Sequence, residues 1–395
     1  MSEIFPDVLR VYRPGVASRF LNLVYNRQPQ FILTVAYTAT VQLPGVSGAG
    51  TTPELRELTA TADVEILAHG KALCLLGGVP SNPNGAPGPS IITRAAFDLI
   101  PGMPYLPVDA GLKNAPAVSN LFRLDGAAPA QAVTTGRALD SDNNQAGRLF
   151  TAGWKLGEDL GQKCATNNRY LIIGESVPGG TTTALGLLLA LGVDAEDKVS
   201  SSMPGNAHQL KLAAVNSGLA AIGKNKGDFA ANPLAGAAAL GDQMQPAVAG
   251  MALSASRFCP VMLGGGTQMA AVVALMAALR QTPPQDYAEL ISQAQPENIA
   301  LATTRWVSAD PTADLAGLAA AIEDKFGPFP ACYLAANLDF SSSQYEGMRY
   351  YEQGFVKEGV GAGAAAIAAM LGANLTASEL LPPIERAYEK LCLGL

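Results

Sequence analysis

Short apolar runs that stop at glycine-bearing or Asx turns recur along this chain, and that rhythm restricts the fold more than any other feature. Residues 72–76 lead into Gly77 and Gly78. Residues 105–108 lead into Asp109-Ala110-Gly111, 170–173 into Gly174, and 261–263 into the triplet Gly264-Gly265-Gly266. A further run at 332–335 precedes Asn337-Leu338-Asp339. Helix-like segments follow three of these turns, over 181–191, over 269–280 and from Lys113 onward. Residues 31–36 add a strand candidate, and 147–161 repeats Phe150, Trp154, Leu156 and Leu160 at helical spacing. Short buried strands alternating with helices predict a doubly wound α/β fold, with a mainly parallel sheet between two helical layers. Ligands of such sheets bind beyond the carboxyl ends of the strands, so the glycine turns are where chemistry is expected.

Composition narrows the function classes. Of 395 residues only 15% are charged, against 49% hydrophobic, which is too apolar for a disordered chain. The net charge is −7, so a polyanion is repelled and nucleic acid is not an expected partner. The low charge also suggests surface hidden in an oligomer. Residues 258–279 carry no charge and are long enough to span a bilayer, but the glycine triplet divides them into strand, turn and buried helix. Residues 359–375 are likewise uncharged, yet mostly Ala and Gly. The start of the chain has Glu3, Pro6 and Asp7 where a leader needs basic and then apolar residues, so none is expected. Five cysteines without a CxxC spacing predict inert thiols rather than a disulfide framework. These features describe a cytoplasmic protein. The two histidines, His69 and His208, exclude a His-rich metal site and leave little from which to build a Ser-His-Asp triad.

Thr52-Pro53-Glu54 predicts a helix start, with Thr as N-cap and Pro at the first helical position. Residues 79–89 read as a loop and a candidate lid over a substrate. The strongest motif is Gly174-Glu175-Ser176-Val177-Pro178-Gly179-Gly180-Thr181-Thr182. It follows a strand and opens a helix, where free N–H groups and hydroxyls bind an anion. No GK[ST] follows, so a single phosphate is expected rather than a triphosphate. A tight turn with a threonine cap explains the same residues. Lys357-Glu358-Gly359-Val360-Gly361 sets a carboxylate before a Gly/Ala helix start. Glu358 there either complements the helix dipole or acts as a general base over a small-walled pocket. Gly264-Gly265-Gly266-Thr267-Gln268 allows close approach of a ligand or of neighbouring backbone. Lys211 and His208 lie on a helix whose solvated face is the simpler reading.

Together these motifs resemble the nicotinate-nucleotide:dimethylbenzimidazole phosphoribosyltransferase family, as a divergent branch, over about 105–371. Val108-Asp109-Ala110-Gly111-Leu112 resembles that family's VDVGI strand end, and Gly174-Glu175-Ser176 with Thr181-Thr182 its GE-x-x-x-x-NTT phosphate loop. Lys211 falls where the family has a helical lysine. Residues 247–253 and 260–263 resemble its next helix and strand, and Glu358-Gly359-Val360-Gly361-Ala362 its terminal GEG-x-GAA. The departures are Gly180 in place of the family's Asn, Gly264 in place of its Asp, and Phe355-Val356-Lys357 in place of an arginine. The family's N-terminal ADHG has no counterpart.

The resemblance implies transfer of a 5-phosphoribosyl group from nicotinate mononucleotide to a nitrogenous base, giving an α-ribotide for the lower ligand of a cobamide. Glu358 would be the general base, and Glu175 would orient a ribose hydroxyl or steady positive charge. Gly174, Gly179, Gly180, Thr181, Thr182 and Lys211 would hold the phosphate. Gly265, Gly266, Gln268, Gly359 and Gly361 would line the base pocket. No cofactor or metal is implied. The family's homodimer and small helical domain place an α/β domain at 31–340 and the helical one at 1–30 and 341–395. The acceptor stays open among dimethylbenzimidazole, adenine, another purine or a phenol. A non-catalytic nucleotide-binding protein on the same scaffold, or another α/β transferase or hydrolase with the same phosphate cradle, fits the residues too.

Overall fold

The computed structural model describes residues 5–75 and 78–395. Its strands are β1 (Val8–Tyr12), β2 (Gln28–Ala36), β3 (Tyr105–Gly111), β4 (Phe122–Arg123), β5 (Arg169–Ser176), β6 (Val261–Gly264), β7 (Ile299–Thr304) and β8 (Cys332–Ala336). They form one sheet in the order β1-β8-β7-β6-β5-β2-β3-β4. Only β1 runs antiparallel, against β8; the six other pairings are parallel. The order turns back between β2 and β5. From β2 the chain builds outward through β3 and β4, and from β5 it builds the other way through β6, β7 and β8. A crevice at the carboxyl ends is the geometric result of that reversal.

Both faces of the sheet are covered, and the central strands show it by alternation. Ile32 and Ala36 of β2, with Leu171 and Ile173 of β5, enter one core. Phe31, Leu33 and Val35, with Tyr170 and Ile172, enter the other. A strand buried on both sides reads as an unbroken apolar run, which is why these strands stand out in the sequence.

Nine helices carry the argument: α1 (Pro14–Val24), α2 (Pro53–His69), α3 (Ser90–Leu99), α4 (Gln145–Thr166), α5 (Gly180–Ala190), α6 (His208–Ala221), α7 (Pro233–Leu240), α8 (Met244–Ala255) and α9 (Thr267–Gln281). Helices α4, α5, α8 and α9 pack into the first core; α1, α2, α3 and the helix Ala362–Ala373 pack into the second. Helices α4 and α8 meet along a seam of glycines. A Cβ on Gly153 would collide with the Ala247 carbonyl, one on Gly157 with the Met251 carbonyl, and one on Gly161 would stand 2.9 Å from the Ala255 Cα. Gly250 answers from α8 by lying against the Phe150 carbonyl. The seam is cross-linked by Ser254, whose hydroxyl donates to the Trp154 carbonyl at 2.8 Å.

Several expectations need correction. The strand expected at 72–76 runs into residues 76 and 77, which lie outside the described residues; 72–75 form bends, not a strand. The helix expected from Lys113 is absent, and that stretch instead carries β4 and a short 3-10 turn, Val133–Thr135. Its prolines and glycine break helical continuity. A domain boundary at 30/31 would cut β2, which runs unbroken through Gln28–Ala36. Segment 1–30 supplies β1 to the sheet edge, and Ala17, Phe20, Leu21 and Val24 bury on the same core as the helix Ala362–Ala373. The uncharged stretch 258–279 resolves into β6, a turn and α9. Among the described residues no single helix is long and apolar enough to cross a membrane.

Candidate active site

The loop after β5 begins the site. Gly179 takes a left-handed φ of 83°, and a Cβ there would sit 2.8 Å from the Val41 amide. Glycine therefore meets both a conformational and a steric demand at this turn. Gly180 opens α5, and any side chain on it would strike Gln268. Thr181 lines the cleft. The buried Thr182 hydroxyl has no protein partner. Thr183 turns away and donates to Asp242. A helix N-terminus with bare backbone and a spare hydroxyl is suited to a phosphate.

Gly174 is not part of that loop's surface. A Cβ on it would lie 3.1 Å from Phe31 and 3.2 Å from the Cα of Gly361. Gly361, at φ 67°, faces it in return. These two glycines let the end of β5 and the Glu358 loop touch backbone to backbone behind the cleft, rather than lining it.

Opposite the loop after β5 stands Glu358, on a turn with an unusual backbone. Val356, Lys357 and Val360 hold φ values of 66°, 67° and 55°, left-handed for residues that are not glycine. What fixes the turn is hydrogen bonding on every side. The Glu358 carboxyl accepts the amides of Gly359 and Gly363 and the Thr303 hydroxyl, each at 3.2 Å. Gly363 lies in the first turn of the helix Ala362–Ala373, so the carboxyl does stand at a helix N-terminus. Lys357 points the other way. Its ammonium donates to Asp310 at 2.6 Å and to the Asn206 side chain at 2.8 Å.

Glu175, 1% exposed, accepts the Val177 amide at 3.2 Å and the Gln268 side chain at 3.4 Å. Burial raises its pKa to about 8, with the charges of Glu358 and Asp242 adding to the effect. Burial likewise raises Glu358 to about 7, against the pull of the amides that bond to it. Gly265 has a packing role: a Cβ there would stand 2.8 Å from Met269 and 3.4 Å from Glu175. Gly266, Gln268 and Gly359 do line the cleft. The buried Gln268 Oε1 has no partner.

Lys211 lies outside the cleft lining. Its ammonium, buried, donates to the carbonyls of Val199 at 2.6 Å and Ser200 at 3.3 Å. Burial, with nearby Lys357, lowers its pKa to about 7. It thus holds the loop whose residues Ser200, Ser201 and Ser202 form part of the cleft wall. His69 and His208 bond to loop carbonyls, of Ala117 and Thr312. Among the described residues no group of three His, Cys, Asp or Glu side chains is placed to hold a metal ion.

The cleft encloses about 670 Å³ of space, part of it open to solvent. It adds residues that sequence reading missed. Ser47 and Ala49 come from the 45–54 loop, Thr59 and Asp63 from α2, and Pro89 from the end of the 79–89 loop. Asp63 left one signal in the sequence, an acid that follows the small-residue run Thr59-Ala60-Thr61-Ala62 in the middle of α2. Lys357, Asp310 and Asn206 left none that spacing could connect.

No protein-family model matches the chain. It is 44% identical over 384 residues to a UPF0284 protein of Gloeobacter violaceus, covering 97% of this chain and 94% of that protein. It is 40% identical over 382 residues to a UPF0284 protein of Trichodesmium erythraeum, covering 96% and 98%. To a UPF0284 protein of Methanothermobacter thermautotrophicus it is 39% identical over 375 residues, covering 93% and 94%. Among solved structures it is similar to CobT from Thermus thermophilus, with a TM-score of 0.55 and 19% identity over 90% of this chain and 88% of that one. A nicotinate-nucleotide-dimethylbenzimidazole phosphoribosyltransferase from the same organism gives a TM-score of 0.54 and 17% identity over 93% and 88%. At that identity the likeness is one of fold.

Proposed function

We propose that this chain, which belongs to the UPF0284 protein family, transfers a 5-phosphoribosyl group from nicotinate mononucleotide to a nitrogenous base. The observation that carries the reading is the pair Glu175 and Glu358, raised toward neutrality in one cleft beside the exposed start of α5. A cationic pyridinium ring suits a cleft short of positive charge. Its arrival favours ionisation of both carboxyls. The phosphate rests at Gly179, Gly180 and Thr181, facing the Ser200–Ser202 wall; Thr182 lies behind the cleft surface.

In the transfer, a ring nitrogen of the acceptor attacks the anomeric carbon. The carbon–nitrogen bond to nicotinate breaks, and its electron pair returns to the pyridine nitrogen, so the ring leaves neutral and needs no acid. The acceptor's N–H proton passes to Glu358. Glu175, held by Gln268 and the Val177 amide, steadies the positive charge that gathers on the ribose ring in the transition state. The same reading implies small-molecule partners, a homodimer and a cytoplasmic setting.

The test is incubation with nicotinate mononucleotide and a panel of bases, with free nicotinate followed by chromatography. Glu358→Gln is expected to lower turnover about 10²–10⁴-fold, the usual worth of a positioned base, while nucleotide binding persists. Normal turnover by that variant refutes the assignment of the base. Nucleotide binding without nicotinate release from any base assigns a non-catalytic role instead.

A further inference from the structure

We infer that Asp63 is the residue that selects the acceptor, and that it selects a base with a hydrogen-bond donor on its edge, an aminopurine rather than a methylated benzimidazole. The inference rests on the transfer reading above.

Asp63 lies on α2, 2% exposed, and contributes to the wall of the same cleft as Glu175 and Glu358. One carboxyl oxygen, Oδ2, accepts the Ser176 hydroxyl at 2.7 Å. The other, Oδ1, is buried and makes no hydrogen bond of good geometry; the Ser90 hydroxyl, itself unpaired, lies close to the carboxyl. Apart from the Ser176 and Ser90 hydroxyls, no group of the protein engages this carboxyl. No cation pairs with it, it caps no helix, and no backbone amide bonds to it. Ser176 adjoins Glu175 on β5, and successive strand residues point to opposite faces, so Asp63 meets the cleft from the α2 side while Glu175 meets it from the other.

Its surroundings suit a flat ring. Ala49, Thr59, Pro89 and Val360 line the cleft with Asp63, small or rigid residues that leave room for a planar group. Burial raises the Asp63 pKa to about 7, and its charge reaches Glu175. An acceptor seated there has one N–H committed to Glu358. Dimethylbenzimidazole has no second donor, and its methyl groups would leave Oδ1 buried and unpaired. An exocyclic amine satisfies it. Sites built around a buried polar group discriminate strongly against analogues that leave it unpaired.

The experiment compares adenine with purine, which differ by the amine alone, and with dimethylbenzimidazole, at pH 8. For the wild-type chain kcat/KM for adenine is expected to exceed that for purine by about 10–100-fold. In Asp63→Ala the adenine-to-purine ratio is expected to fall to within about threefold of unity, with thermal melting used to confirm a folded protein. If that variant does not fold, Asp63→Leu, closer in volume, replaces it, and the wild-type ratio is decisive by itself. A wild-type ratio near unity overturns the inference, as does a ratio unchanged by the substitution, or dimethylbenzimidazole used as well as adenine. All three outcomes leave the transfer reading standing. If no base releases nicotinate, the transfer reading falls. Calorimetric binding of adenine and purine in the presence of nicotinate mononucleotide then decides the role of Asp63, tighter adenine supporting it and equal affinities overturning it.

Discussion

Replacing Lys357 with methionine keeps the length of the side chain and removes its charge. The consequence follows from its burial. The Lys357 and Asp310 side chains are 2% and 3% exposed and 2.6 Å apart. Burial pushes Asp310 up, but the Lys357 ammonium and the Asn206 amide pull it further down, to about 2. For Lys357 burial lowers the pKa, and Asp310 only partly offsets it. The hydrogen bonds from Lys357, Asn206 and Thr312 hold Asp310 ionised. A fall from 3.8 to about 2 corresponds to roughly 2–3 kcal/mol. That contribution is fully present above about pH 4 and is lost as pH falls through about 2. Breaking a buried pair by removing one partner costs about 3–5 kcal/mol. With an unfolding entropy of roughly 0.8 kcal/mol/K for a chain of this length, the melting temperature should fall by about 3–6 °C at pH 7. The difference from wild type should shrink in acid, because without the ammonium burial raises Asp310, and the variant's carboxyl protonates well above the pH at which the wild-type one does. Losing the ammonium also releases the left-handed turn at Val356 and Lys357, so transfer should fall at least about tenfold as Glu358 drifts. Melting followed by circular dichroism from pH 7 to pH 4, paired with nicotinate release, reads both effects. A variant that melts within about 1 °C of wild type at pH 7 refutes the reasoning.

Two further outcomes follow from the same cleft. The kcat/KM for transfer should rise with pH through about 7, as Glu358 ionises. Folding stability should move the opposite way, because Glu175 and Glu358 bind protons more tightly folded than unfolded. Stability is therefore greatest near pH 5 and falls as pH rises through 7 and 8; parallel pH series of rate and urea midpoint test the opposed slopes. Gly363→Ala should be among the most damaging small substitutions. Its Cβ would collide with the Thr303 backbone, and its amide holds Glu358. A loss of about 3 kcal/mol or more in urea unfolding is expected, with wild-type stability counting against the packing described.

The sheet was legible where a strand is apolar on both faces. Strands β2, β3, β5, β6 and β8 were all found that way. Strand β7, Ile299–Thr304, mixes Ala and Thr in a pattern that no turn punctuates. Strand β1 contains Arg10 and owes its place to a partner more than three hundred residues away. That the 177–181 loop and Glu358 stand at strand-to-helix turns is readable in the sequence because glycine punctuation is local. Asp63 and Ser176, 113 residues apart, and Asp310 and Lys357, 47 apart, become neighbours only through tertiary packing. Gly174 and Gly361 show a different limit. A glycine that admits a ligand and one that admits another backbone look alike in sequence.

The glycine seam between α4 and α8 has a consequence for motion. Helices in backbone contact along three successive turns can neither slide nor rotate without collision, since each Gly is seated against a main-chain atom of its partner. The layer of α4 and α8 therefore behaves as a fixed bed beneath β5 and β6. The cleft is walled instead by loop residues, among them Ser47, Pro89, Ser200 and Glu358, which side-chain hydrogen bonds such as those of Lys211 and Lys357 hold in place.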